Sequence, residues 1–364
     1  MATTKATPVL HALLAGGGTG GHIFPALAVA EELAKRGWRV SFVGSATGLE
    51  ARLVPERGVS FHALPARPLV GRGLAGKVKA LATLAGSGWA AARLIRNLEV
   101  GVVLGTGGYV SAPAVVGAQL ARRPILLLEP NARAGVANRW LSRWASAAAI
   151  GYPETARDLK CPAWVTGVPV RAGFFEVSAE LPPLSSPRLL VLGGSQGAKQ
   201  VNEVLPDAAK RLIERLPEVR IVHQAGGRNV DEAKTAYARA GVGEPHVQIV
   251  PFLEDVAGAM AASHLVVSRA GAITLAEICA AGRASVLLPL TIAQGHQVEN
   301  ARLLADAGAA ELVLDADAAR LGDLLLDVLT SDRLQRMARA ARSLAKPHAV
   351  AEIADRLELL GGVL

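Results

Sequence analysis

Val9-Leu10-His11-Ala12-Leu13-Leu14-Ala15-Gly16-Gly17-Gly18-Thr19-Gly20-Gly21-His22 and its counterpart Leu189-Leu190-Val191-Leu192-Gly193-Gly194-Ser195-Gln196-Gly197-Ala198 decide the fold. In each, an apolar strand (Val9–Leu14, Leu189–Leu192) runs into a glycine turn that opens a helix. Such a turn presents backbone N–H groups and the positive end of a helix dipole. Two of them, about half a chain apart, point to two α/β domains facing one cleft.

The chain has 364 residues, enough for two domains. Hydrophobic residues make up 51% and aromatic residues only 4%, so the cores are built of Ala, Val and Leu. That chemistry suits parallel sheets covered by helices on both faces. From Arg39–Val43 through Val100–Leu104, Pro124–Leu128 and Ala147–Ile150, strands alternate with helical segments such as Ile23–Lys35. The rhythm restarts after the proline-rich stretch 181–187, the best linker in the chain, with strands at Arg188–Leu192, Arg220–His223, Val247–Val250, Leu265–Val267 and Ser285–Leu288. The expected fold class is therefore α/β, with two Rossmann-like, doubly wound parallel-sheet domains. Pro347 kinks a terminal helical region that begins near Leu334, where the tail can cross back to the first domain.

Lys and Arg number 39 against 31 acids, a net charge of +8 that favours phosphates or an anionic membrane. No basic run, zinc-finger spacing or aromatic RNA-binding signature accompanies it, which argues against nucleic acid. Cys161 and Cys279 form no CxxC, as expected of free thiols in a reducing compartment. No apolar stretch reaches the ~18–20 residues that span a bilayer.

Gly16–Gly21 satisfies G-x-G-x-x-G, but the second strand ends in Gly44-Ser45-Ala46 with no acid until Glu50. A nicotinamide dinucleotide needs an acid there for its ribose, so that cofactor is disfavoured. No P-loop lysine motif exists either. His22 stands where loop becomes helix. It reads either as a structural cap or as an imidazole kept neutral by the helix N-terminus and able to act as a general base. Ser268-Arg269-Ala270-Gly271-Ala272-Ile273-Thr274-Leu275-Ala276-Glu277 follows another strand. It reads either as ordinary capping with an acid in the first turn or as a second anion cradle whose Glu277 accepts from a ribose diol. The polar run Gln294 to Asn300 follows a buried strand, and its amides suit sugar hydroxyls or an exposed helix start equally. Asp315-Ala316-Asp317 looks like a metal-binding DxD but sits where acids cap a helix, so no metal is expected.

These motifs, with Gly107-Gly108-Tyr109-Val110-Ser111 and His296-Gln297 through Asn300-Ala301, resemble in their order the MurG family of GT-B glycosyltransferases over nearly the whole chain. The resemblance implies a GT-B architecture and inverting, metal-independent transfer of N-acetylglucosamine from UDP-N-acetylglucosamine. The acceptor would be the 4-hydroxyl of an undecaprenyl-diphospho-muramoyl pentapeptide, a step of peptidoglycan synthesis (lipid I to lipid II). No cofactor is implied. His22 would be the base, and Glu129 would orient it or the acceptor. Glu277 would bind the ribose. Ala272, Ile273, Thr274, Leu275 and Ala276 would line the donor diphosphate. Ser195 would meet phosphate or uridine, Leu253 the uracil, and Gln297 with His296 the sugar hydroxyls. Thr19, Gly20, Gly21, Asn131 and Arg171 complete the donor set. The acceptor diphosphate would lie against Gly17, Gly18, Gly107, Gly108 and Tyr109. The implied division is an acceptor domain over 1–170 with the tail 348–364, and a donor domain over 171–347. The chain departs from the family at Glu129-Pro130-Asn131, at Ala134-Gly135, at Val168 in Gly167-Val168-Pro169-Val170-Arg171, and at Gly295.

Between Pro65 and Arg96, Leu69, Val70, Leu74, Val78, Leu81, Leu84, Trp89 and Ile95 interleave with Arg67, Arg72, Lys77, Lys79, Arg93 and Arg96. This segment reads either as an interfacial membrane contact or as an amphipathic helix on its own domain. The implied location is the cytoplasmic face of the cell membrane, with an anionic surface and other cell-wall synthesis proteins as partners. Three rivals remain. They are a related GT-B enzyme with another lipid or soluble acceptor, a non-hydrolysing UDP-sugar epimerase, and a non-catalytic nucleotide-sugar-binding protein.

Overall fold

The structure is a computed structural model that describes residues 10–67, 73–194, 197–291 and 296–362, without the side chains at 74, 75, 77, 78 and 316. The chain forms two compact units, Met1–Pro169 with His348–Leu364, and Val170–Pro347.

In the first unit the strands are β1 (His11–Ala15), β2 (Arg39–Gly44), β3 (Ser60–Ala63), β4 (Val102–Gly105), β5 (Ile125–Glu129), β6 (Ala147–Ile150) and β7 (Ala163–Val165). They form one sheet in the order β3-β2-β1-β4-β5-β6-β7, and every pairing is parallel. Between them run α1 (Gly20–Lys35), α2 (Glu50–Glu56), α3 (Leu74–Asn97), α4 (Gly108–Leu120) and α5 (Val136–Leu141). The second unit repeats the plan. Its strands are β8 (Arg188–Leu192), β9 (Arg220–Gln224), β10 (Val247–Val250), β11 (Leu265–Ser268), β12 (Ala284–Leu287) and β13 (Ala310–Leu312), in the order β10-β9-β8-β11-β12-β13. Its helices are α6 (Lys199–Arg215), α7 (Val230–Arg239), α8 (Val256–Ala261), α9 (Ala272–Ala281), α10 (His296–Asp306), α11 (Leu321–Thr330) and α12 (Arg333–Ser343). The last helix, α13 (Ala349–Leu360), belongs to the first unit.

The central strands are apolar over most of their length, as expected where both faces are covered. Successive side chains leave a strand on opposite sides. Ala12 and Leu14 therefore enter one core of the first unit, and Leu13 and Ala15 the other. In the second unit Leu189 and Val191 separate from Leu190 and Leu192 in the same way. Each such Leu or Val contributes about 1.5–3 kcal/mol through burial.

Several local expectations change. Helix α1 begins at Gly20 rather than Ile23, so Gly20 and Gly21 lie in its first turn. Helix α9 begins at Ala272 with no acid in its first turn, so Glu277 is not an N-terminal capping acid. The proline-rich stretch 181–187 lies inside the second unit, where Leu181 packs on the core and the Pro182 carbonyl bonds the His264 ring. Pro347 falls in the break between α12 and α13. Beyond it, Ile353, Ala354 and Leu357 bury themselves in the first unit's core. Arg36 pairs with Asp355 at 2.6 Å and Glu358 at 3.0 Å to hold that helix.

In both sheets the strand order reverses direction beside the first strand, between β1 and β4 and between β8 and β11. Loops leaving the carboxyl ends of strands diverge at such a point and leave room for a ligand. The first glycine turn, Gly16–Thr19, follows β1 there, and Gly193 and Gly194 follow β8.

Candidate active site

In the first unit, α1 carries His22 to the switch point, where the loop after β4 meets it. His22 Nδ1 lies 2.8 Å from the Thr106 carbonyl oxygen. A carbonyl only accepts, so Nδ1 carries the proton and Nε2 keeps its lone pair. Thr106 Oγ1 donates back to the His22 carbonyl at 2.8 Å, which closes the contact. The imidazole lies against the backbone of Gly107 and Gly108, whose φ angles are +88° and +70°. A Cβ added at Gly108 would come within 3.3 Å of His22 Cδ2 and 3.4 Å of Nε2. Burial pushes the His22 imidazole below its usual range, and the charges of Glu129 and Glu50 pull it part of the way back. The result is a neutral ring with an open nitrogen, which is what a general base needs.

Glu129 ends β5 and is 3% exposed. Its Oε1 accepts from the Asn131 backbone and side-chain amides at 3.1 and 2.8 Å. Its Oε2 accepts from Gly135 N at 2.9 Å and Asn138 Nδ2 at 3.0 Å. These four donors belong to its own loop and helix α5, so Glu129 reaches His22 by charge rather than by contact. Asn131, expected at the donor, is held by Glu129.

Helix α4 starts beside His22 with Gly107 at its N-cap position and no side-chain cap. Its first-turn N–H groups, at Gly108 and Tyr109, suit an anion. Tyr109 is exposed at this end. The glycine turn after β1 differs. The Gly18 amide already donates to Glu50 Oε2 at 3.2 Å. Gly18, expected against the acceptor diphosphate, thus has its amide engaged by a carboxylate of the same unit. Thr19 precedes α1 and its carbonyl accepts from His22 N at 3.1 Å.

In the second unit, Glu277 is 8% exposed and pairs with Arg171, whose Nη2 lies 3.1 Å from Oε1. Burial pushes the Glu277 carboxyl up, and the Arg171 charge opposes this. The uncapped start of α9 lies one turn before Glu277, so Ala272, Ile273 and Thr274 present first-turn N–H groups. Leu275 and Ala276 follow within the helix, Leu275 turned into the core. Gln297 Oε1 accepts from Leu290 N at 2.9 Å, which ties α10 to the loop after β12. His296 begins α10, and Leu253 packs against the core beneath its loop. Ser195 lies outside the described residues, as do Gln294 and Gly295.

Four further residues lie at the site in settings that the sequence does not signal. Gln224, at the end of β9, donates to the Gly194 carbonyl at 3.1 Å and shapes the second glycine turn. Asn300 is fully buried and donates to the Ala270 carbonyl at 3.2 Å, which fixes the loop before α9. Ser268 Oγ is buried at the end of β11 with no hydrogen-bond partner among the described residues. Glu50 is the fourth. An acid that opens a short helix has no sequence signal that separates it from a surface residue. As for Asp315, its carboxylate accepts from Gln200 Nε2 and, at 3.0 Å, from Thr291 Oγ1.

On α3, Trp89 and Leu81 are 64% and 51% exposed, and Lys79, Arg93 and Arg96 are exposed beside them. Ala91, Ala92 and Ile95 on the same helix are buried. Leu69, Val70 and Arg72 lie outside the described residues. No helix among the described residues is long and apolar enough to cross a membrane.

Known proteins resemble this chain over nearly its whole length. Residues 12–150 match the glycosyltransferase family 28 N-terminal domain and residues 188–357 its C-terminal domain. A protein of Syntrophotalea carbinolica, named UDP-N-acetylglucosamine–N-acetylmuramyl-(pentapeptide) pyrophosphoryl-undecaprenol N-acetylglucosamine transferase, is 41% identical over 95% of this chain and 96% of its own. The crystal structure of Acinetobacter baumannii MurG superposes with a TM-score of 0.75 at 34% identity, covering 96% of this chain and 99% of that one. A putative UDP-N-acetylglucosamine 2-epimerase of Listeria monocytogenes shares the fold, with a TM-score of 0.72 at 14% identity and coverage of 97% and 96%.

Proposed function

Because the chain belongs to glycosyltransferase family 28 and to the MurG group within it, we propose that it transfers N-acetylglucosamine from UDP to the 4-hydroxyl of a muramoyl pentapeptide carried on undecaprenyl diphosphate. The second unit holds the donor. Glu277 accepts from the ribose diol, Arg171 keeps that carboxylate in place, and the amides opening α9 take the diphosphate. Leu253, Ser195, His296 and Gln297 complete the donor contacts, with Thr19, Gly20, Gly21 and Asn131 contributed by the first unit. The first unit binds the acceptor, with its diphosphate against Gly107, Gly108, Tyr109 and Gly17.

His22 Nε2 takes the proton of the 4-hydroxyl as its oxygen attacks the anomeric carbon. The new C–O bond forms on the face opposite the bond to phosphate, which breaks with its electron pair leaving on UDP. The α linkage becomes β in one displacement. Charge that develops on the leaving diphosphate meets preorganised amides and a helix N-terminus. Glu129 supports His22 by its charge and by holding the loop beside it. The observation that carries this reading is the His22–Thr106 contact, which leaves a neutral imidazole with one free nitrogen beside an uncapped helix start.

Exposed Trp89 and Leu81 among Lys79, Arg93 and Arg96 suit insertion at an anionic membrane from the side where the lipid-linked acceptor is presented, the cytoplasmic face. A double L81S/W89S variant is expected to lose flotation with phosphatidylglycerol vesicles while retaining UDP binding. Retained flotation removes this surface from the reading.

The decisive assay supplies radiolabelled UDP-N-acetylglucosamine and the lipid-linked muramoyl acceptor with a chelator present. The label is expected in the lipid fraction, β-linked. Label that stays in water-soluble UDP-sugars, epimerised at C2, would replace this reading with the epimerase.

A further inference from the structure

Glu50 opens α2 and is wholly buried, 0% exposed, and among the described residues no cation pairs with it. A buried carboxylate with no counter-charge is costly unless amide donors hold it. Here Oε2 accepts from Gly18 N at 3.2 Å and Oε1 from Ser45 N at 2.9 Å. Three glycines make room for it. A Cβ at Gly17 would come within 2.2 Å of Oε1, one at Gly44 within 2.4 Å of Cγ, and one at Gly48 within 2.3 Å of both oxygens. The backbone of two loops is thus wrapped around one side chain.

We propose that Glu50 is the resident anion of the first glycine turn and a positioning residue for transfer: its carboxylate holds Gly18 and Ser45 so that α1 starts at Gly20 and delivers His22 against Gly107 and Gly108. The turn carries the signature of a phosphate loop, yet its anion is supplied from within the chain. The consequence for the acceptor is that its diphosphate is met by the start of α4 and not by the Gly18 amide. Glu50 also contributes negative charge to His22, alongside Glu129, and that charge favours the imidazolium formed when the hydroxyl proton arrives. The inference rests on His22 as the base.

The test uses the full-length enzyme with Glu50→Gln, Gly48→Ala and His22→Gln. The Gln amide keeps the size of Glu50 but turns an N–H toward one backbone N–H. The Gly48→Ala methyl displaces the carboxylate without removing its charge. Both are expected to leave the KM for UDP-N-acetylglucosamine within about twofold and to lower kcat, by about 10²-fold for Glu50→Gln, the cost of a misplaced catalytic group. A carbon-detected NMR titration, with the His22 signal assigned by its loss in His22→Gln, is expected to show the imidazole titrating at lower pH in Glu50→Gln than in wild type. A role confined to stability would leave that titration in place. Should Glu50→Gln not fold, Gly48→Ala alone decides. Wild-type kcat in the folded variants overturns the proposal, as does a lowered acceptor KM with unchanged kcat, which would mean that Gly18 serves the substrate. Undiminished turnover by His22→Gln overturns the base assignment itself, a separate failure.

Discussion

The Nδ1 atom of His22 and the carbonyl oxygen of Thr106 stand 2.8 Å apart, joining the first turn of α1 to the loop after β4 across the point where the sheet changes direction. The contact fixes both the orientation and the tautomer of the imidazole. It therefore sets which nitrogen is available for chemistry.

His22→Gln is expected to lower kcat by about 10²–10⁴-fold, the range for loss of a general base. UDP binding measured by calorimetry should stay near wild type. The base must be neutral to act, and burial holds its pKa below the usual 6.5. Activity should therefore persist below pH 6.5 and fall only as the pH drops through that lowered value. An acid limb of kcat above pH 6.5 would remove His22 from the role.

Gly108→Ala places a methyl 3.3 Å from the imidazole at a φ of +70°. Gly37→Ala is the control, since its φ is +82° and nothing lies within 4 Å. Both should lose about 1–3 kcal/mol of stability through backbone strain. Only Gly108→Ala should also lose kcat. Equal activity of the two proteins would show that the ring does not depend on that close approach.

Glu277→Ala removes the partner of Arg171 and the acceptor assigned to the ribose. The expected result is a KM for UDP-N-acetylglucosamine raised by about tenfold or more, with a smaller change in the KM for the acceptor. A variant with wild-type donor KM would place the nucleotide elsewhere.

His223 is fully buried between Tyr237 OH and Asn202 Oδ1, each 3.0 Å away, and burial pushes it down to about 4. Between pH 4 and 6.5 the unfolded chain binds a proton here that the folded chain does not. Folding stability therefore rises with pH across that window and is lost on acidification, by at most about 3 kcal/mol. Denaturant unfolding of wild type and His223→Gln at several pH values checks this. The variant's slope should be shallower, by up to about 1.4 kcal/mol per pH unit.

Arg283 is wholly buried and donates to the carbonyls of Met260, Ser178, Ala281, Gly282 and Ala261. Arg283→Met keeps the bulk and leaves those acceptors without their donor. It should destabilise the second unit by about 3 kcal/mol or more, read as a lower thermal midpoint. An unchanged midpoint would show that the carbonyls find other partners.

The strand–glycine–helix stretches at Gly16 and Gly193 and the alternation of apolar runs are local patterns, and they alone determined the two doubly wound sheets and the helix start at Ala272 that precedes Glu277. Local patterns suffice there because a buried parallel strand and an uncapped helix start depend on neighbours in sequence. Tertiary structure alone decided which amides remain open and which are already held. Glu50 reaches Gly18 across 32 residues, and Thr106 meets His22 across 84. Glu129 turns to its own loop, and Arg171 finds Glu277 across 106 residues. Hydrogen bonds form between groups that the fold brings within about 3 Å, and separation along the chain carries no record of them.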